Sequence, residues 1–140
     1  GMQEYWDGRF YDPDDRTTLE PDDDAACAAY GEGWHIPTLD EWNELLTQCT
    51  RVWTSVNGVD GLMFTSSKTL NSIFLPVAGF RSTTKLYFDG LLGRYWSSSL
   101  YLDYPDRAFH FFMDKDKDIS QSICCDHIRC EGLSVRPVVW

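Results

Sequence analysis

Leu39, Trp42, Leu45, Leu46 and Cys49 recur three or four residues apart, the spacing that gathers apolar side chains on one face of an α-helix. Thr38 stands just before this stripe and Glu41 three residues after Thr38. That pair can form a capping box, each side chain bonding the other residue's backbone N–H. Pro37 stops any helix running in from upstream. The pattern predicts a helix over 38–49. A shorter helix is predicted over 25–30, with Asp22, Asp23 and Asp24 favouring its N-terminus and Gly31 ending it. Past Cys49 the period changes. Short β-prone runs occupy 52–54, 62–65, 73–75, 86–88, 95–96, 108–113 and 134–139, punctuated by Asn57-Gly58, Asp60-Gly61, Pro76, Gly79, Asp89-Gly90 and Gly93. Two helices followed by many short strands form an α+β arrangement. No fixed-period repeat or linker divides the chain, so 1–140 reads as one domain with an acidic lead-in over 1–24.

Composition fills this outline in. Of 140 residues, 43% are hydrophobic and 15% aromatic, enough for a core and unlike a disordered chain. Trp34, Trp42, Trp53 and Trp96 are expected to pack in that core. The net charge of −10 leaves no basic footprint for phosphates, which argues against nucleic acid as a partner. No apolar stretch is long enough for a membrane span, and no signal-type segment opens the sequence. Gly1 ahead of Met2 reads as a remnant of expression, which leaves room for an export signal upstream.

Candidate chemistry in the outline is sparse. Ser97-Ser98-Ser99 lacks the G-x-S-x-G elbow of a nucleophile, so these hydroxyls are expected to cap strand ends. His35 is expected to make a structural hydrogen bond, and Arg136 a bidentate contact with a carboxylate. The acidic lead-in does not match a calcium loop, and Asp114-Lys115-Asp116-Lys117-Asp118 alternates in sign like a solvated hairpin. The five cysteines are an odd number, a poor match to a closed disulfide framework. Cys27 and Cys49 fall in predicted helix, where they can pair or stay as buried thiols. Cys124, Cys125 and Cys130 cluster near the end.

Five blocks follow one another in a recognisable order: Gly33-Trp34-His35-Ile36-Pro37-Thr38; Glu41-Trp42; Asn71-Ser72-Ile73-Phe74-Leu75-Pro76-Val77-Ala78-Gly79-Phe80-Arg81; Gly93-Arg94-Tyr95-Trp96-Ser97-Ser98-Ser99; and Gly132-Leu133-Ser134-Val135-Arg136-Pro137-Val138. Over about residues 30–138 the chain resembles the Fibrobacter succinogenes major paralogous domain family of gut Bacteroidales. The resemblance implies a C-type lectin-like fold, two helices beside a twisted, mainly antiparallel sheet with long loops. It implies no enzymatic activity and no cofactor. The glutamate-and-asparagine calcium motif of sugar-binding C-type lectins is missing.

Between the Trp96 and Gly132 blocks, Ser122-Ile123-Cys124-Cys125-Asp126-His127-Ile128-Arg129-Cys130 shows neither strand alternation nor helical period. Three readings are open. The first is a resemblance to variable proteins of diversity-generating retroelements, whose C-terminal codons of the form AAC become any base, any base, C. Every residue over 122–130 belongs to that reachable set, which excludes Lys, Glu, Gln, Met and Trp. The resemblance implies a selected binding surface over about 100–110 and 120–131 on a cell-surface, secreted or phage-borne protein. Tyr101, Tyr104, Ile123 and Ile128 would give contact area, and Asp103, Asp126, His127 and Arg129 polar contacts. Leu102, Asp106, Arg107, His110, Ser122, Cys124, Cys125 and Cys130 would complete it, against an unnamed protein or glycan ligand.

The second reading is a metal site at Cys124, Cys125, His127 and Cys130, although adjacent cysteines in extended chain point to opposite faces. The third rests on a resemblance to formylglycine-generating enzymes, which use two cysteines five positions apart, like Cys125 and Cys130. Their R-G-G-S segment is absent here. A non-variable adhesive or structural module of the same family is the alternative to the first reading.

Overall fold

The helix expected over 38–49 forms as α2, Leu39–Gln48, and its start is the expected capping box. Thr38 Oγ1 accepts the Glu41 N–H at 3.2 Å, and the Glu41 carboxylate accepts the Thr38 N–H at 2.8 Å. The computed structural model describes residues 16–104, 106–117 and 125–140, with backbone alone for Cys125 and Asp126. The carboxylates Asp12, Asp14 and Asp15 of the lead-in, and Asp118 of the alternating-charge turn, lie outside the described residues. The shorter helix α1 spans Ala25–Tyr30 and ends at Gly31, as its residues predict. Asp24 caps it and is itself buried. One carboxylate oxygen accepts the N–H groups of Ala26 and Cys27, and the other accepts that of Ile36, 12 residues away.

Among the described residues ten strands accompany the helices: β1 (Trp34–His35), β2 (Cys49–Val56), β3 (Val59–Ser66), β4 (Ser72–Pro76), β5 (Phe80–Ser82), β6 (Lys85–Tyr87), β7 (Leu92–Leu100), β8 (Arg107–Asp114), β9 (Cys125–Ile128) and β10 (Val138–Val139). The result is an α+β fold with antiparallel sheets. Among the described residues the pairing falls into four sets, β2–β3–β4, β7–β8–β9, β5–β6 and β1–β10, where the sequence suggested one sheet. Isolated bridges such as Gly79–Gly93, Arg81–Gly132 and Tyr95–Ser134 tie the sets together. Asn57 and Gly58 both adopt positive φ, 51° and 81°, the geometry of a tight turn whose twist matches the β2–β3 hairpin.

The core forms where α2 crosses between the two three-stranded sheets. Leu62, Phe64 and Leu75 come from one sheet, Tyr95, Phe111 and Met113 from the other, and Trp42 from the helix. Trp42 stacks on Phe111 at 4.8 Å between ring centroids, and Phe64 meets the Phe111 ring edge-on at 6.1 Å. The Trp42 indole N–H donates to the Trp96 carbonyl, so even this buried ring has its polar atom satisfied.

Three expectations need correction. Trp34 does not join the core. Strand alternation turns His35 inward and leaves Trp34 37% exposed, tilted against Tyr30 at 5.4 Å. Trp53 packs half-buried against the core, whereas Trp96, also half-buried, lies on the other face of its strand against His110 and His127. Arg136 makes no ion pair among the described residues; it is exposed, and its charge acts on Tyr95. Within 122–130, residues 125–128 are strand, not loop, because main-chain pairing with the edge of β8 needs no side-chain alternation. His35 does make its structural hydrogen bond, with Glu41 as partner. Two of the serine hydroxyls also bond to backbone, Ser97 Oγ accepting the Ser99 N–H and Ser99 Oγ accepting the Leu39 N–H at the start of α2. Cys27 and Cys49 are half-buried free thiols.

Candidate ligand-binding site

Beyond Leu100 the chain leaves the β7–β8 ladder and returns through a short loop. Tyr104 N–H donates to the Tyr101 carbonyl, and Arg107 N–H to that of Tyr104. The loop is held from inside by aromatic packing. Tyr101 and Tyr104 stack at 5.9 Å with rings 10° apart, and Tyr101 meets the Phe109 ring at 5.2 Å. The Arg107 guanidinium lies over Tyr104 at 5.5 Å. Leu102, Asp103, Tyr104 and Asp106 are exposed, while Tyr101 and Arg107 are half-buried and steady the loop.

The second segment lies directly beside the first. Antiparallel pairing sets Arg107 opposite Ile128 and Ala108 opposite His127. The Arg129 N–H then donates to the Asp106 carbonyl at 2.9 Å, fastening the turn after β9 to the loop before β8. Ile128 and Cys130 are exposed, Arg129 is half-buried, and Cys130 is a free thiol. Two stretches about 20 residues apart in sequence therefore present one continuous edge. Ser122, Ile123 and Cys124, and the side chains of Cys125 and Asp126, lie outside the described residues.

Two predicted residues stand differently from expectation. His110 does not flank the surface: it is 3% exposed, because its strand face is covered by Trp96 at 6.4 Å and His127 at 5.4 Å. His127 is half-buried and held by scaffold residues. Arg94 Nη1 lies 2.9 Å from its Nε2, and the Glu131 carboxylate also contacts Nε2. One ring nitrogen cannot accept from Arg94 and donate to Glu131 together, so the proton state of His127 selects its partner. Phe80 packs beneath this group, 4.4 Å from the Arg94 guanidinium and edge-on to His127 at 5.8 Å.

Arg94, Phe80 and Glu131 thus form the footing of the surface, a role their sequence setting did not reveal. Glu131, four residues after His127, was the one available signal. The metal reading rests on Cys124 and Cys125, outside the described side chains; among the described residues, no group of three His, Cys, Asp or Glu could hold an ion.

Two groups whose titration is clearly displaced, Glu41 and Tyr95, belong to the scaffold. Burial alone would raise the Glu41 carboxyl. Bonds from the Thr38 backbone, His35 and the Thr38 hydroxyl, with the charge of His35, together hold it below the ordinary range. Burial pushes the Tyr95 hydroxyl well above its usual value, with Arg136 opposing; the hydroxyl donates to the Pro76 carbonyl at 2.8 Å. No described helix is long and apolar enough to cross a membrane. Comparison with family models, curated proteins and solved structures finds no match.

Proposed function

We propose that this chain is a ligand-binding domain of the C-type lectin-like kind, acting by recognition and not catalysis. On this reading its surface over 101–107 and 122–130 is diversified by a retroelement. The observation that carries the proposal is the juncture of the two segments, Arg107 opposite Ile128 and Arg129 bonded to Asp106. Residues that lie between the Trp96 and Gly132 blocks become neighbours along one sheet edge. A binding surface needs that arrangement: variable side chains on a framework that does not change with them. Tyr104, Leu102 and Ile128 offer apolar area, and Asp103, Asp106 and Arg129 offer directional contacts.

The order of the five sequence blocks supports the lectin-like fold, and the α+β architecture is compatible with it. The partner is a protein or glycan met at a cell surface, in secretion or on a phage particle. A second reading, a fixed adhesive module of the same family, is favoured by His127, which is engaged by Arg94 and Glu131 like a structural residue.

A glycan and protein array probed with the wild-type chain and with a version carrying Ser or Ala at 122–126 and 128–130, His127 being kept, tests the proposal. The wild type is expected to bind a discrete set of ligands. The altered version should bind them at least about tenfold more weakly, a loss of about 1.4 kcal/mol, with its melting profile retained. Equal binding by both versions would overturn the reading.

A further inference from the structure

A cavity of about 290 Å³ opens between the segment preceding α1, the β1–β10 pair and the end of β7. None of its lining residues belongs to 101–107 or 125–130, so it is a separate site. Its walls include Trp34, His35, Trp140, Glu32 and Asp24, and among the described residues no lysine or arginine lines it. Trp140 stacks on His35 with ring centroids 3.7 Å apart and planes 13° apart, yet stays 82% exposed. One face of that indole is therefore covered by the imidazole while most of the ring remains accessible. Trp34 is also part-exposed on the cavity wall.

The polar groups of the wall complement this aromatic lining. The Asp24 carboxylate already accepts three backbone N–H groups and brings no cation with it. Glu32 is exposed and makes no ion pair among the described residues. His35 Nε2 lies 2.9 Å from both Glu41 carboxylate oxygens, while its buried Nδ1 has no hydrogen-bond partner. A carboxylate only accepts, so Nε2 carries the proton of that contact. The cavity thus joins two indoles and a carboxylate that makes no ion pair among the described residues.

We propose that this cavity binds an organic cation, an amine or quaternary ammonium group, between the Trp34 and Trp140 indoles with Glu32 as its counter-charge. Ring quadrupoles attract a cation over the face of tryptophan more than over any other side chain, and more strongly once water is removed. An anion would meet Glu32 and Asp24 with no compensating base. The volume lies at the small end of ligand sites, which suits a headgroup or side-chain terminus more than a large molecule.

The test is titration of the full chain with choline and with its neutral tert-butyl analogue, followed by calorimetry and by the indole N–H signals in heteronuclear NMR. Choline is expected to saturate and to shift the Trp34 and Trp140 signals, with the neutral analogue about tenfold weaker. Glu32→Gln and Trp140→Ala should each weaken choline about threefold to tenfold, without changing the melting temperature of the Glu32→Gln protein. Absence of saturation up to about 50 mM choline, or equal binding of the neutral analogue, would overturn the proposal. Unchanged affinity in both variants would do so too.

Discussion

Glu41 does two jobs with one carboxylate. It closes the capping box with Thr38 and accepts from His35, which links the start of α2 to β1. Its carboxyl is held low, so its contribution to stability is present above the ordinary value of 4.5 and is lost as pH falls through the lowered one. Glu41→Gln should cost about 1 kcal/mol at neutral pH. That difference from wild type should close on acidification, as read from urea melts across pH; a difference that persists at low pH would refute the assignment.

At this scale the sequence was partly legible. Thr38 and Glu41 are fixed by short-range geometry, and their spacing alone announces the box. His35 could be expected to form a hydrogen bond, but its stacking on Trp140 joins residues 105 positions apart, which no local pattern records. Arg136 shows the same limit: a bidentate contact with a carboxylate was expected, whereas its place in the segment leading to β10 is exposed.

Among elements, turns carry the most testable claims. Gly58 sits at φ 81° in open space, so Gly58→Ala should cost only the backbone term, about 1 kcal/mol. Gly79 combines φ 65° with close approach: an added Cβ would lie 2.3 Å from the Tyr87 carbonyl oxygen and 2.7 Å from the Asp89 nitrogen. Backbone atoms cannot swing aside as a side chain can, so Gly79→Ala should cost more than about 2 kcal/mol. Thermal melts of the pair check the order, and equal losses would contradict it.

The α2 stripe and most strand runs were readable because period and punctuation are local. β9 was not, since its pairing is supplied by the neighbouring edge of β8 and not by its own side chains. The same cause misplaced His110. A strand residue's face can be read from alternation, but which neighbours cover that face depends on tertiary packing.

For the molecule as a whole, the packed interior lies apart from the candidate surface. The Trp42–Phe111–Phe64 stack and the bridges between sheets lie outside the candidate surface, whose loop and turn are joined by backbone pairing. Backbone bonds do not depend on side-chain identity, so substitutions at Leu102, Asp103, Ile128 and Cys130 should alter the surface without dissolving it. His127 is the exception, being tied to Arg94 and Glu131. That division was only half legible in sequence: position between blocks marked the segments, while their contact through Arg129 and Asp106 required the fold.

The central claim, a diversified binding surface, is tested most directly by sequencing the gene in two isolates of one lineage together with its flanking DNA. The account predicts differences confined to codons within 101–107 and 122–130, at positions where a nearby template repeat carries adenine. Differences scattered evenly along the chain, with no such repeat, would contradict it.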